Sequence, residues 1–430
     1  MDGIALALDE LLGADTDLVA WGDLPLHQQQ QIQRTLATQN FPSYLVSPKT
    51  QQQLAKLISL AQDRNWQILI CGSGSKLGWG GLVSKVDLVV STQHLNRIID
   101  HAVADLTVTV EAGVTLKQLQ DTLQSTGQFL PLDPAYPETA TVGGIMATAD
   151  AGSWRQGYGG VRDLVLGLSF VRADGQIAKA GGRVVKNVAG YDLMKLFTGS
   201  YGTLGIISQI TFRTYPLPET SATVILTGAA EKLRQAASSL LNSSLTPTSL
   251  DLISAGVVKA LNLGTEMGLL VRFQSIAESV KQQSEQVREL ALGLALKIDD
   301  VQDNLWQQLS QTIRASATES AVICKIGILP DAAVEFLEEL YLWSNQTELA
   351  QISAGSGLGN LQLASDDLEL LRKLRLHCTE HGGFLSILES PVAVKQNIEP
   401  WGYTGNSLGM MQKIKQQFDP KNIFNPGRYL

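Results

Sequence analysis

The chain has 430 residues, of which 44% are hydrophobic and 17% charged, and a net charge of −8 with no lysine–arginine cluster, so it suits two or three domains with sizeable cores and excludes an ordinary nucleic-acid binder. Its three cysteines, Cys71, Cys324 and Cys378, lie far apart and form no C-x-x-C pair, which argues against an iron–sulfur cluster, a structural zinc or a secreted disulfide framework in this chain. No apolar run is long enough to span a bilayer directly. The acidic start, Met1 to Glu10, lacks the pattern of a signal peptide, so the expected location is the cytoplasm.

Residues 1–41 read as an N-terminal extension. Its glutamines, Gln28 to Gln31 and Gln33, fit a short helix and a flexible arm equally well. Ser47-Pro48-Lys49-Thr50 is extended and leads into a helix, because Leu54, Leu57, Ile58 and Ala61 recur at helical spacing. The apolar run Ile68-Leu69-Ile70 predicts a buried strand. It opens into Cys71-Gly72-Ser73-Gly74-Ser75-Lys76-Leu77-Gly78, where two glycines let successive N–H groups point one way, as a phosphate or pyrophosphate requires. An ordinary Gly/Ser turn fits the same residues. The glycine spacing is not that of a Rossmann fingerprint, and Lys76-Leu77 does not end a P-loop. Val86 to Val90 is again apolar, so the loop lies between two strands with no helix dipole directly behind it.

Further on, Leu106 to Val110 predicts a strand, Glu111-Ala112-Gly113 a turn, and Leu116 to Leu123 a helix. Pro131-Leu132-Asp133-Pro134 is a turn stiffened by its prolines. A second glycine-dense stretch, Thr141-Val142-Gly143-Gly144 and then Ala147 to Gly152, allows close backbone approach, either to a flat ligand or to other backbone. Gly159 to Asp163, the strand Leu164 to Val171, a turn at Ala173-Asp174-Gly175, Lys186 to Leu193, and Gly199 to Ile207 follow, before a strand that ends near Arg213. This segment reads as an α+β domain wrapped around an extended ligand.

The order of these pieces resembles the FAD-binding domain of the vanillyl-alcohol oxidase / p-cresol methylhydroxylase family. The matching residues are Ser47 to Thr50, Cys71 to Gly78, Thr141 to Gly144, Arg162-Asp163, Gly202 to Ile207, Phe418-Asp419-Pro420 and Asn425-Pro426-Gly427-Arg428. Val184 to Leu193 and the ending around Trp401-Gly402 narrow the resemblance to the FAD-binding, E-type subunits of glycolate oxidase. The resemblance implies that Cys71, Gly72, Ser73, Gly74, Ser75, Lys76 and Leu77 wrap the FAD pyrophosphate. Pro131, Asp133, Pro134, Thr141, Val142, Gly143 and Gly144 would pass near the flavin and ribityl chain. Gly205, Ile206 and Ile207 would lie along the adenine side, and Arg162 and Asp163 complete the cofactor-binding set. Many relatives carry a flavin-linking histidine where Ser75 stands, so the FAD is expected to be non-covalent. The implied fold is a two-part FAD-binding domain of the vanillyl-alcohol oxidase type, residues 42–216 and 391–430, with an inserted ferredoxin-like, antiparallel-sheet cap over 217–390.

Within the cap the predicted elements run β-α-β-β-α-β twice: first from Val224 to Ile298, then from Val322 to Leu388. Oxidising a 2-hydroxy acid needs a base, usually histidine, and a cationic clamp for the carboxylate. The five histidines are His27, His94, His101, His377 and His381. The last two share a predicted helical stripe with Leu370 and Leu374 on a helix expected to be capped by Ser365. They could bind a metal, but no third ligand is evident, and a partly buried stripe ending at the helix C-terminus reads better. Arg272, Arg314 and Lys325 are available cations without an assigned place, and the catalytic residues stay open. The resemblance implies a small 2-hydroxy-acid substrate. It also implies catalytic-flavoprotein and iron–sulfur subunits as partners, and membrane association only through them. The rival readings are a self-sufficient FAD-linked dehydrogenase and a non-catalytic assembly subunit.

Overall fold

The structure, a computed structural model, describes residues 3–12, 17–182, 190–314, 320–403 and 406–429. The Val184 to Ala189 part of the glycolate-oxidase-like stretch lies outside them. The chain folds into two units. The first comprises residues 1–151, 160–217 and 403–430, and the second residues 152–159 and 218–402.

The first unit contains two sheets and a short ribbon. Strands β1 (Asp17–Ala20), β2 (Tyr44–Ser47), β3 (Ile68–Cys71) and β4 (Leu88–Ser91) form one sheet in the order β1-β2-β4-β3. β2, β4 and β3 run parallel, and β1 is antiparallel to β2. Parallel neighbours need a crossover, and the helix Gln51–Arg64 supplies it between β2 and β3. Thr50 caps this helix by accepting from the Gln53 N–H. Leu54, Leu57, Ile58 and Ala61 are all fully buried, as their spacing predicts. Strands β5 (Ile98–Ala102), β6 (Thr107–Glu111), β8 (Val165–Val171), β9 (Ile177–Gly181) and β10 (Ile206–Arg213) form an antiparallel sheet in the order β5-β6-β10-β8-β9. Two short strands, β7 (Gln128–Phe129) and β11 (Tyr215–Pro216), pair separately. β3 is an outer strand of its sheet, and the returning C-terminal segment covers it. The Ile68 N–H donates to the Ile423 carbonyl at 2.7 Å, and the Asn425 N–H to the Ile68 carbonyl at 2.9 Å.

Two expectations need correction. The glutamines of the N-terminal extension form the short helix rather than the arm, but the extension holds more than that helix. It carries a helix (Gly3–Leu12), the edge strand β1 and a second helix (Leu26–Gln33). Leu8 sits in the same core as the Gln51–Arg64 helix. The return to the first unit starts at Tyr403 rather than at residue 391. The helix Val392–Asn397 stays with the second unit because Val394 and Ile398 are buried in that unit's core.

The second unit is built on one eight-stranded antiparallel sheet. Its strands are β12 (Thr220–Thr227), β13 (Ser249–Ile253), β14 (Gly268–Ser275), β15 (Lys297–Val301), β16 (Val322–Gly327), β17 (Leu349–Ser353), β18 (Leu358–Leu363) and β19 (Phe384–Glu389). Their order is β15-β12-β14-β13-β17-β18-β16-β19. Each half has the ferredoxin-like arrangement expected from the sequence. The halves join where β13 pairs with β17, Leu252 lying opposite Ile352. Alternate residues such as Leu250, Leu252, Val271, Ile326, Leu361 and Ile387 bury one face of the sheet. Two helices that periodicity did not bring out, Ala255–Ala260 and Leu305–Arg314, bury Ile225, Ile253 and Leu270 in a second cluster.

Candidate cofactor site

The Cys71–Gly78 loop connects the carboxyl end of β3 to β4, the position at which open parallel sheets bind ligands. Gly74 has φ +83°, a conformation that glycine adopts without penalty. The loop closes on itself through the Leu77 N–H to the Gly74 carbonyl and the Trp79 N–H to the Lys76 carbonyl, each at 3.1 Å. Among the described residues, the N–H groups of Ser73, Gly74 and Ser75 have no partner within the chain. Three successive donors of this kind suit an anion.

The loop lies along a cleft of about 740 Å³, counting the part open to solvent. Of the residues singled out in the sequence, the cleft is lined by Cys71, Gly72, Ser73, Gly74, Ser75, Lys76, Leu77, Thr141, Gly143, Gly144, Gly205, Ile206 and Ile207. Pro131, Asp133, Pro134, Val142, Arg162 and Asp163 lie outside its lining. Arg162 and Asp163 are exposed on a one-turn helix (Val161–Leu164), where the Asp163 carboxylate accepts from the Gly160 N–H at 2.8 Å. Thr141 to Gly144 open a helix, Val142–Thr148, whose cap Thr141 accepts from the Gly144 N–H at 3.2 Å. That helix begins directly against the loop. A Cβ on Gly72 would lie 2.1 Å from Thr141 Oγ1.

Sequence reasoning assigned no role to the lining residues Thr92, Tyr201, Asn425 and Arg428, while Ala147 and Thr148 belong to the stretch expected to allow close backbone approach. Asn425 and Arg428 stood in the motif Asn425-Pro426-Gly427-Arg428, which was the available signal. The Arg428 guanidinium donates to the Leu77 and Trp79 carbonyls at 2.7 and 2.9 Å. Burial pushes its pKa down to about 10, a range in which it keeps its proton at neutral pH. Lys76 is buried against Asp150, Nζ to Oδ2 at 2.8 Å, and the same carboxylate oxygen accepts from the Ala135 N–H. The one lysine of the loop is therefore neutralised by the protein. Burial also raises the Tyr201 phenol, with Asp150 adding to the effect, and pushes the Cys71 thiol up to about 11. Neither group ionises at neutral pH, so beside the paired Lys76 the charged group of the lining is the Arg428 guanidinium.

In the second unit, His377 and His381 stack at 4.2 Å between ring centroids. His377 Nδ1 lies 3.1 Å from Glu339 Oε2, and His381 Nδ1 lies 2.9 Å from the His377 carbonyl. Among the described residues, no group of three or more His, Cys, Asp or Glu could hold a metal. The helix carrying them, Leu368–Glu380, is capped by Asp367 rather than Ser365. The Asp367 carboxylate accepts from Glu369 N–H at 2.8 Å, and Ser365 Oγ accepts from Asp367 N–H. Arg272 is held by Ser221 and lies over the rings of Trp154 and Trp306. Arg314 is buried and Lys325 half-buried. His94 contacts Asp17 and His101 contacts Gln128, while His27 is exposed.

Comparison with known proteins bears on this geometry. The FAD binding domain family matches residues 42–181, and the C-terminal domain of FAD linked oxidases matches residues 395–429. The chain is 30% identical to glycolate oxidase subunit GlcE of Escherichia coli over 383 residues, which cover 88% of this chain and 96% of that one. It is 29% identical to D-lactate dehydrogenase of Archaeoglobus fulgidus over 420 residues, covering 91% and 92% of the two. Its fold matches 4-ethylphenol oxidase from Gulosibacter chungangensis with a TM-score of 0.77 at 15% identity, over 99% of this chain and 98% of that one. The cleft fits the cofactor these matches imply: it offers three unpartnered amides and a wall at Gly72 that admits no Cβ.

Proposed function

We propose that this chain, which belongs to the FAD-linked oxidase family, is the FAD-binding flavoprotein subunit of a 2-hydroxy-acid dehydrogenase acting on glycolate or a close relative. The observation that carries this reading is the row of unpartnered amides at Ser73, Gly74 and Ser75, facing a cleft whose other lining comes from Thr141–Gly144 and Gly205–Ile207. When bound, FAD supplies the hydride acceptor that turns a 2-hydroxy acid into a 2-oxo acid. The chain's own residues do the holding. The loop amides take the pyrophosphate; Asp150 already pairs with Lys76, so the positive charge beside the loop is the Arg428 guanidinium. Ile206 and Ile207 flank the adenine side, and Thr141, Gly143 and Gly144 flank the ribityl side. Pro134 stiffens a turn that lies outside the cleft lining. Ser75 cannot form the histidyl link, so the cofactor is held non-covalently. Electrons leave through catalytic-flavoprotein and iron–sulfur partner subunits, in keeping with the subunit status of the Escherichia coli relative.

The match to D-lactate dehydrogenase over nearly the full length favours a second reading, in which the chain oxidises its substrate unaided. One experiment separates these possibilities. The purified chain is saturated with FAD, its visible spectrum is taken, and the protein is precipitated with acid. Flavin wholly in the supernatant supports non-covalent binding, and flavin in the pellet refutes it. A chain that binds no FAD sinks the cofactor reading. Anaerobic bleaching by glycolate or D-lactate without partners favours the second reading.

A further inference from the structure

We infer that the C-terminal segment Asn425–Arg428 is a positioning clamp that sets the shape of the cofactor cleft, with Asn425 and Arg428 as its two acting side chains. The inference rests on the FAD reading above and adds to it the residues that hold the cleft in a binding-competent form. Asn425 joins two segments that line the cleft through one amide. Its Oδ1 accepts from the Ile70 N–H at 2.8 Å, immediately before the glycine loop. Its Nδ2 donates to the Tyr201 carbonyl at 2.7 Å, at the turn that leads into Gly205–Ile207. No shorter or longer side chain reproduces both bonds. The backbone adds a second constraint: Asn425 has φ +43°, a left-handed conformation that asparagine tolerates better than other side-chain-bearing residues.

Arg428 acts on the other end of the loop. Its Nη1 alone gathers the carbonyls of Leu77 and Trp79, with that of Gly81 at 3.4 Å. The Gly81 N–H in turn donates to the Arg428 carbonyl at 3.0 Å. A Cβ on Gly81 would lie 2.6 Å from that carbonyl oxygen, so loop and clamp are in direct backbone contact. Arg428 thereby fixes residues 77–81, the far end of the loop whose N–H groups at 73–75 have no partner within the chain. The clamp is itself anchored: the buried Lys415 ammonium pairs with Asp419 and donates to the carbonyls of Thr203 and Phe424, both at about 3 Å.

The test uses the full chain freed of flavin, with FAD and ADP as probes and fluorescence quenching and calorimetry as readouts. Asn425→Gly keeps the left-handed backbone without strain and removes only the two amide bonds. Arg428→Lys keeps the charge but moves it to an ammonium on a differently shaped stem, away from the position of Nη1. The expected result is at least about tenfold weaker binding of both FAD and ADP by Asn425→Gly, from two lost hydrogen bonds. Arg428→Lys should fall between it and the wild type. Both measurements are made at a temperature where far-UV circular dichroism matches the wild type, so loss of fold does not enter. Wild-type affinity in Asn425→Gly, or a lower melting temperature with unchanged affinity, overturns the clamp while leaving the FAD reading intact. A wild-type chain that binds neither FAD nor ADP overturns both.

Discussion

Replacing Gly72 with alanine tests the contact on which the cleft depends. The backbone of Gly72 is not in the left-handed region, so the substitution acts through its added methyl alone. That methyl would stand 2.1 Å from Thr141 Oγ1, 2.9 Å from Cγ2 and 3.0 Å from Cβ. Thr141 would have to retreat by about 1 Å or more to restore ordinary contact. It is buried, and its hydroxyl caps the Val142–Thr148 helix, so retreat costs the cap, about 1 kcal/mol, and strains the packing by about 1–3 kcal/mol. A total of roughly 2–4 kcal/mol lowers the melting temperature of the first unit by on the order of 5–15 °C. Differential scanning calorimetry of the apo chain reads this directly. The decisive comparison is a double-mutant cycle with Thr141→Ala, which removes the two nearest of the three atoms and leaves Cβ. The double variant should be more stable than the sum of the two single losses by about 1 kcal/mol or more. If Gly72→Ala melts within a degree of the wild type, or if the cycle shows no coupling, the tight contact between loop and helix is wrong.

Other outcomes follow from the same geometry. Gly74→Val places a β-branched residue at φ +83°, so flavin occupancy after purification should fall to near zero while the circular dichroism stays native; full yellow colour would displace the pyrophosphate from this loop. Lys76→Met strips Asp150 of its buried ion-pair partner and should destabilise the chain by about 3–5 kcal/mol in denaturant titration. A loss below about 1 kcal/mol would mean that the pair contributes little. Burial raises the Asp251 pKa above its ordinary value, so stability is greatest below the unfolded value and declines as pH rises through the folded one. Asp251→Asn keeps an acceptor for the Gln351 amide at 2.9 Å and should raise the melting temperature at pH 8 more than at pH 4; an equal effect at both would contradict the shift. Burial lowers the His377 pKa, so protonation below about pH 6.5 favours the unfolded chain. Thermal melts of His377→Gln should show a flatter decline than the wild type between pH 7 and pH 5.

Much of the fold was legible because local pattern and tertiary demand agree. The stripe Leu54, Leu57, Ile58 and Ala61 is fully buried, and the two β-α-β-β-α-β runs are the two halves of one sheet. The N-terminal strand was hidden because four half-exposed residues, Asp17–Ala20, carry too little alternation to stand out from a glutamine-rich surround. The helices Ala255–Ala260 and Leu305–Arg314 serve a second core that periodicity alone does not separate from the first. At the site, the glycine loop announced itself because its conformation restricts residue type. Tyr201 did not, and Asn425 and Arg428 showed only as part of a terminal motif, since a backbone carbonyl and a hydrogen-bonded amide become neighbours of the loop only through the topology. Lys76 illustrates the limit: the sequence places it in the loop, and only the fold supplies Asp150 as its partner.

The pairing of β3 with residues 423–425 also bears on how the protein is made. Asn425 bonds to Ile70 across 355 residues of chain. At ribosomal speeds of about 5–20 residues per second, roughly 20–70 s separate the synthesis of the two partners. The second unit, complete by Gly402, can fold within that interval. The first unit has to wait, with the open hydrogen-bonding edge of β3 exposed to any other strand in reach. The edge of β3 therefore stays open until residues 423–425 emerge, and a chaperone that shields an unpaired sheet edge would protect the nascent chain best in that interval.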